Sequence, residues 1–185
     1  MNMLRNIDSL PRLPLWAQVL VAARILERAA LAMAPSGDVS TTLADAYQAL
    51  QRCARDGGGV SRERACFNRA AALHTRPDVD QSLAACAASV IDAARAAEAA
   101  LDFPIDSTVT ASVRRAIAAI GSDPRISQTQ LVILVASDVD QIAFALSEIS
   151  VGTYDGLTDH VFGRLAPVHA LTLVEPRPTP ESLAR

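Results

Sequence analysis

Residues 83–101 read LAACAASVIDAARAAEAAL, and ten of these nineteen positions are alanine. Alanine gives up no side-chain entropy on entering a helix, so the stretch predicts one long α-helix whose small side chains admit close neighbours. The bias extends along the chain: there are 35 alanines, all 17 basic residues are arginine, and lysine does not occur. Arginine ranks close behind alanine as a helix former. The composition predicts an all-α protein, a single-domain bundle of six to seven helices joined by short loops and occupying residues 1–175. The end, 176–185, reads as an extended or frayed tail.

Apolar periodicity divides the rest. Leu15, Val19, Ala22, Leu26, Ala29 and Met33 recur every three or four positions, and Trp16, Leu20 and Ala23 broaden the stripe, predicting a deep helix over 14–33. Pro14 suits its first turn and Pro35-Ser36-Gly37 ends it. A second helix starts near Ser40 or Thr41 and stops at Gly57-Gly58-Gly59, and a third runs from Ser61 to about His74. The alanine-rich helix opens after Pro77, with Asp78 and Asp80 favourable in its first turn, and breaks at Phe103-Pro104. Asp106 or Ser107 caps a fifth helix ending at Gly121. Ser127 and Gln130 form a capping-box pattern for a sixth, over 128–149. A short helix over 157–165 follows, and 167–174 is ambiguous between strand and helix. The first, fourth and sixth segments are expected to form the core, with Trp16 largely buried.

Half the residues are apolar and a fifth charged, as in a globular protein, and the net charge of −3 is too small for bulk attraction to nucleic acid or an acidic membrane. No basic residue other than histidine lies between Arg125 and Arg164, while Asp138, Asp140, Glu148, Asp155 and Asp159 fall there. A local acidic surface is expected. Cys53, Cys66 and Cys86 are odd in number and widely spaced, which is no disulfide framework and fits a reducing compartment. Arg24, Glu27 and Arg28 interrupt the only stretch resembling a signal peptide, and no continuous apolar run is long enough for a membrane span. A cytoplasmic protein without membrane attachment is expected.

Gly59-Val60-Ser61-Arg62 resembles the turn of a helix-turn-helix, with Arg62, Arg64 and Arg69 as candidates for phosphate or guanine contacts. Residues 52–76 carry six arginines against two acids. The packing positions disagree, because Arg55, Gly58 and Asn68 stand where small or apolar residues belong. Nucleic acid is therefore the lesser expectation, as a DNA-binding regulator with a degenerate motif around Gly59 to Arg69. Cys53, Cys66, His74 and Cys86 lack zinc-site spacing, no Glu-x-x-His pair exists, and Asp138-Val139-Asp140 lacks the glycine of a calcium loop. No metal or cofactor is expected. Cys66 and His74 share a helix face but stand too far apart to hydrogen-bond, and Gly57–Gly59 lacks the lysine of a phosphate loop.

Arg24, Glu27 and Arg28 are the remaining candidates, since charges on so apolar a helix are costly to bury unless paired or used. Their spacing lets Glu27 bridge to Arg24 and leave Arg28 for a ligand anion, although a wet helix edge explains all three as well. The stretch LPLWAQVLVAARILER, residues 13–28, with Gln18 near its start and Glu27-Arg28 near its end, resembles the first helix of the YjaG-like bacterial proteins. The rhythm through Leu43, Ala49, Leu50 and Gln51 is similar, as is Ala84-Ala85-Cys86-Ala87; after Arg28 this chain has Ala29-Ala30-Leu31 in place of that family's Pro-Asn-Tyr. The resemblance implies a compact helical fold and no particular chemistry. The expected function is a non-catalytic interaction protein, a homo-oligomer or partner of another protein. The alternatives are the DNA-binding regulator and a small-molecule-binding bundle.

Overall fold

A computed structural model describes residues 9–56, 60–102, 106–149 and 153–174. The Gly57–Gly59 stop, the Phe103-Pro104 break, Gly152 and the 176–185 tail lie outside them. Among the described residues the fold is an all-α bundle: a 3-10 turn at Leu10–Arg12, then α1 (Leu15–Met33), α2 (Gly37–Asp56), α3 (Val60–Leu73), α4 (Gln81–Asp102), α5 (Asp106–Ile120), α6 (Gln128–Ser147) and α7 (Tyr154–Arg164). Each of the seven falls on a segment that periodicity, caps or breakers mark in the sequence.

Helix α1 is the axis of the bundle. Every residue from Ala17 to Leu26 is buried, including Gln18 and Arg24, because α2, α4, α5 and α6 surround it. The alanine-rich α4 is the other central helix, packing against α1, α2, α3 and α5, with Cys86, Ala87, Val90, Ala93, Ala96 and Ala97 buried. Gln18 is the polar group that so buried a helix must satisfy: its Nε2 donates to the Leu13 carbonyl at 3.0 Å, and its Oε1 accepts from Thr110 of α5 at 2.8 Å.

Helix α6 does not share the core on equal terms, contrary to expectation. It lies at the edge, packed on α1 and α7, and buries one face through Leu131, Val135, Asp138, Val139, Ile142 and Ala145. Its high apolar content reads as buried; position decides otherwise. Trp16 is half-buried rather than deep, since it stands in the first turn of α1 and meets Tyr154 edge to face, centroids 6.1 Å apart.

Several boundaries differ for local reasons. Helix α1 is stopped by Ala34 in the left-handed region (φ 42°), its N–H bonded to the Ala30 carbonyl, and Pro35 follows. Helix α2 starts at Gly37, ahead of Ser40, with Asp38 in its first turn. Asp80 lies outside α4 as its cap, accepting from the Ser82 N–H at 2.8 Å, while Asp78 turns back to Arg76. Ser127 caps α6 as expected, accepting from the Gln130 N–H. Helix α7 starts at Tyr154, three residues ahead of the expected position, because Thr153 caps it through the Gly156 N–H. The ambiguous 167–174 segment is an extended strap. It is tied by the Leu171 N–H to the Arg28 carbonyl, by an antiparallel bridge between Leu173 and Ile126, and by the Val174 N–H to the Arg125 carbonyl.

Ala34 is exposed, so its methyl group offers no packing to offset the left-handed backbone. Ala34→Gly is expected to stabilise the protein by about 0.5–1 kcal/mol, measured by urea unfolding.

Candidate functional site

The chain brings its charged candidates together where α1, α6 and the strap meet. Asp138 is fully buried on the inner face of α6. Arg28 grips it with two bonds, Nη1 to Oδ2 at 2.8 Å and Nη2 to Oδ1 at 3.0 Å. One turn earlier, Arg24 Nε donates to Oδ1 at 3.1 Å and its Nη2 to the Ala166 carbonyl, just ahead of the strap, at 3.0 Å. The expected Glu27–Arg24 bridge is absent, and Arg28 is not left for a ligand. Glu27 faces α2 instead, accepting from Gln51 Nε2 at 3.0 Å. Neither is this a wet helix edge, for both guanidinium groups are over nine-tenths buried.

Charge balance explains the arrangement. Two cations against one aspartate would leave a net positive charge in the interior, which low dielectric makes expensive. The Ala166 carbonyl supplies a partial negative charge, and Glu27 acts on both arginines at longer range. Partial burial pushes the Glu27 carboxyl above its ordinary range, and the bond from Gln51 and the fields of Arg24 and Arg28 only partly oppose this. Sequence reasoning found Arg24 and Arg28 but not their partner. Asp138 gives no local signal; it stands one turn from Val135 and Ile142 on a face that must be buried, and that was the available clue.

A second polar cluster went unread. Asp123 in the α5–α6 turn is 4% exposed and accepts from Arg125 Nε at 3.2 Å, Nη2 at 3.0 Å and the Arg125 N–H at 2.9 Å. Burial raises its pKa, but the bonds from Arg125 and the Ser82 hydroxyl outweigh that and hold the carboxyl below its usual value. Arg125 also reaches Asp80 at 3.6 Å. This cluster rims a cavity of 540 Å³ floored by Ala84, Ala85, Ala88 and Ala119, with its guanidinium committed to carboxylates.

The remaining candidates do not converge. On α3, Arg62 and Arg69 lie seven residues apart on one side and Arg64 points elsewhere. Arg64 pairs with Glu98 and Arg69 with Asp45, both at 3.3 Å and exposed, while Arg62 is exposed. The expected acidic surface is largely dispersed: Asp138 is buried, Glu148 is shared by His160 and Arg164, and Asp159 pairs with Arg55. Among the described residues no three Cys, His, Asp or Glu side chains gather to hold a metal ion. Burial pushes the Cys53 thiol up to about 11 and Cys86 to about 12, so both are neutral thiols at pH 7. Cys86 donates weakly to the Met33 sulfur at 3.7 Å.

Among the described residues, the outer face of α6 leaves two large apolar side chains uncovered. Ile133 is 60% and Phe144 66% exposed, the most open large apolar side chains among the described residues. The helix reaches a mean hydropathy of 1.4 over eighteen residues, of which a third are buried. By length and composition α6 would suffice to cross a membrane, yet its inner face carries the Asp138 cluster. No protein-family model matches the chain, and neither a curated protein nor a solved structure does so.

Removing Asp138 strands two buried guanidinium groups. Asp138→Ala is expected to cost about 3–5 kcal/mol in urea unfolding. The triple replacement Arg24→Met, Arg28→Met, Asp138→Leu is expected to cost far less, because no charge is left unpaired.

The lowered Asp123 pKa stabilises the fold above the unfolded carboxylate value near ~3.9, and that stability is lost as pH falls through the folded value. Asp123→Asn is expected to be less stable at pH 7 and to lose less than wild type between pH 5 and pH 2.5, measured by unfolding at each pH.

Proposed function

We propose that this chain is a non-catalytic helical interaction protein that self-associates through the outer face of α6. The single observation that carries the reading is the exposure of Ile133 and Phe144 on a helix whose other face is locked to α1. They lie eleven residues apart, just over three full turns, so they point the same way about 16 Å from one another. The stripe they define runs Thr129, Ile133, Ser137, Asp140, Phe144, Ser147. In chemical type it is polar, apolar, polar, polar, apolar, polar, and it reads the same from either end.

A two-fold interface requires a self-complementary patch of this kind, because each copy presents the same surface to the other. Two α6 helices packed antiparallel would set each Phe144 on the partner copy's Ile133. Aromatic anchors at interface centres carry a disproportionate share of binding energy. The YjaG-like resemblance implies no chemistry and is compatible with this role.

The same geometry places the two Asp140 side chains within roughly 5 Å along the shared axis, where like charges repel. By sedimentation equilibrium, wild type is expected to dimerise, Phe144→Arg to weaken dimerisation by at least about tenfold, and Asp140→Asn to tighten it. A wild type that stays monomeric at millimolar concentration contradicts the reading, as does a Phe144→Arg variant that dimerises as wild type does.

A further inference from the structure

A second feature, independent of α6, lies where α1, α2, α4 and α7 meet. Val19 and Trp16 of α1 face Ala97 and Ala100 of α4, two alanines on one helix face that do not fill the space opposite them. A hollow of 130 Å³ remains. Its walls are fixed. The Tyr154 hydroxyl donates to the Ala54 carbonyl at 3.0 Å, and the Tyr154 ring meets Trp16 edge to face at 70°. Among the described residues no charged side chain lines it. Its side-chain heteroatoms are the Cys53 sulfur, a neutral thiol, the Trp16 indole N–H, and the Tyr154 hydroxyl, whose proton is already donated.

We propose that this hollow is a binding site for a small uncharged apolar molecule, a single aromatic ring or an alkyl group of about six carbons. Its volume is close to that of the engineered apolar cavity of about 150 Å³ that stays dry and takes up benzene. The lining adds selectivity. Two aromatic walls favour a flat ring, which can meet Trp16 or Tyr154 edge to face. A carboxylate or ammonium group would enter with no opposite charge to pair it, so charged analogues are excluded. Half-buried Trp16 and exposed Tyr154 stand at the mouth, so the ring enters from solvent without any helix separating.

Trp16 is the only tryptophan in the chain, so its fluorescence reports on the hollow directly. The probes are benzene, cyclohexane and benzoate. In wild type, benzene and cyclohexane are expected to shift Trp16 emission saturably and to raise Tm, while benzoate does neither. Ala97→Leu fills the space from α4 and is expected to abolish the benzene response; should that variant not fold, Ala100→Leu fills it from one turn further along. Two results overturn the proposal: no emission or Tm change in wild type in benzene-saturated buffer, or an equal response in a folded, filled variant.

Discussion

The bundle is completed by one buried carboxylate. Asp138 is the buried charged contact that fastens the last part of the chain to the first, since Arg24 and Arg28 of α1 both close on it and Arg24 extends to the Ala166 carbonyl just ahead of the strap. A pair of this kind adds little net stability compared with apolar residues of the same volume, because desolvating the ions offsets most of their attraction. What it adds is position. An apolar α6 could rest on α1 in several rotations of similar energy; only one of them pairs Asp138 with both guanidinium groups. That rotation turns Ile133 and Phe144 outward, so the buried ion cluster and these two exposed apolar side chains are two consequences of one constraint.

Alanine sets the other constraint. Small side chains let α1 and α4 approach closely, which is how one helix can be buried along ten consecutive residues. The same small side chains leave space wherever the opposing helix does not fill it. The Ala97 and Ala100 hollow and the alanine floor below Arg125 both arise this way. Close packing and empty volume thus have a common origin in this composition.

What could be read in advance follows the range of the interactions. Helix identity is set within a few residues, so all seven helices, the Ser127 cap and the deep placement of α1 were legible. Boundaries set by a single side chain were less so: Asp80 reads equally well as a first-turn acid or as a cap, and Ala34 gives no sign of a left-handed stop. Partners across more than a hundred residues were not legible at all. Arg24 and Arg28 were marked as anomalous, but their nearest carboxylate in sequence, Glu27, was the wrong one, because a helix neighbour reaches them from the surface and Asp138 reaches them from inside. The edge position of α6 was hidden for a similar reason, since apolar residues facing solvent and apolar residues facing a core are the same letters.

The central claim, that Asp138 holds α6 and the strap to α1, is tested most directly by native-state hydrogen exchange in the wild type and in Asp138→Asn. If it is correct, the amides of α6, Leu171 and Val174 lose protection together in the variant, while those of α1 and α4 keep a higher opening free energy. Equal loss across all helices, or α6 amides unchanged beside a loosened strap, would contradict it.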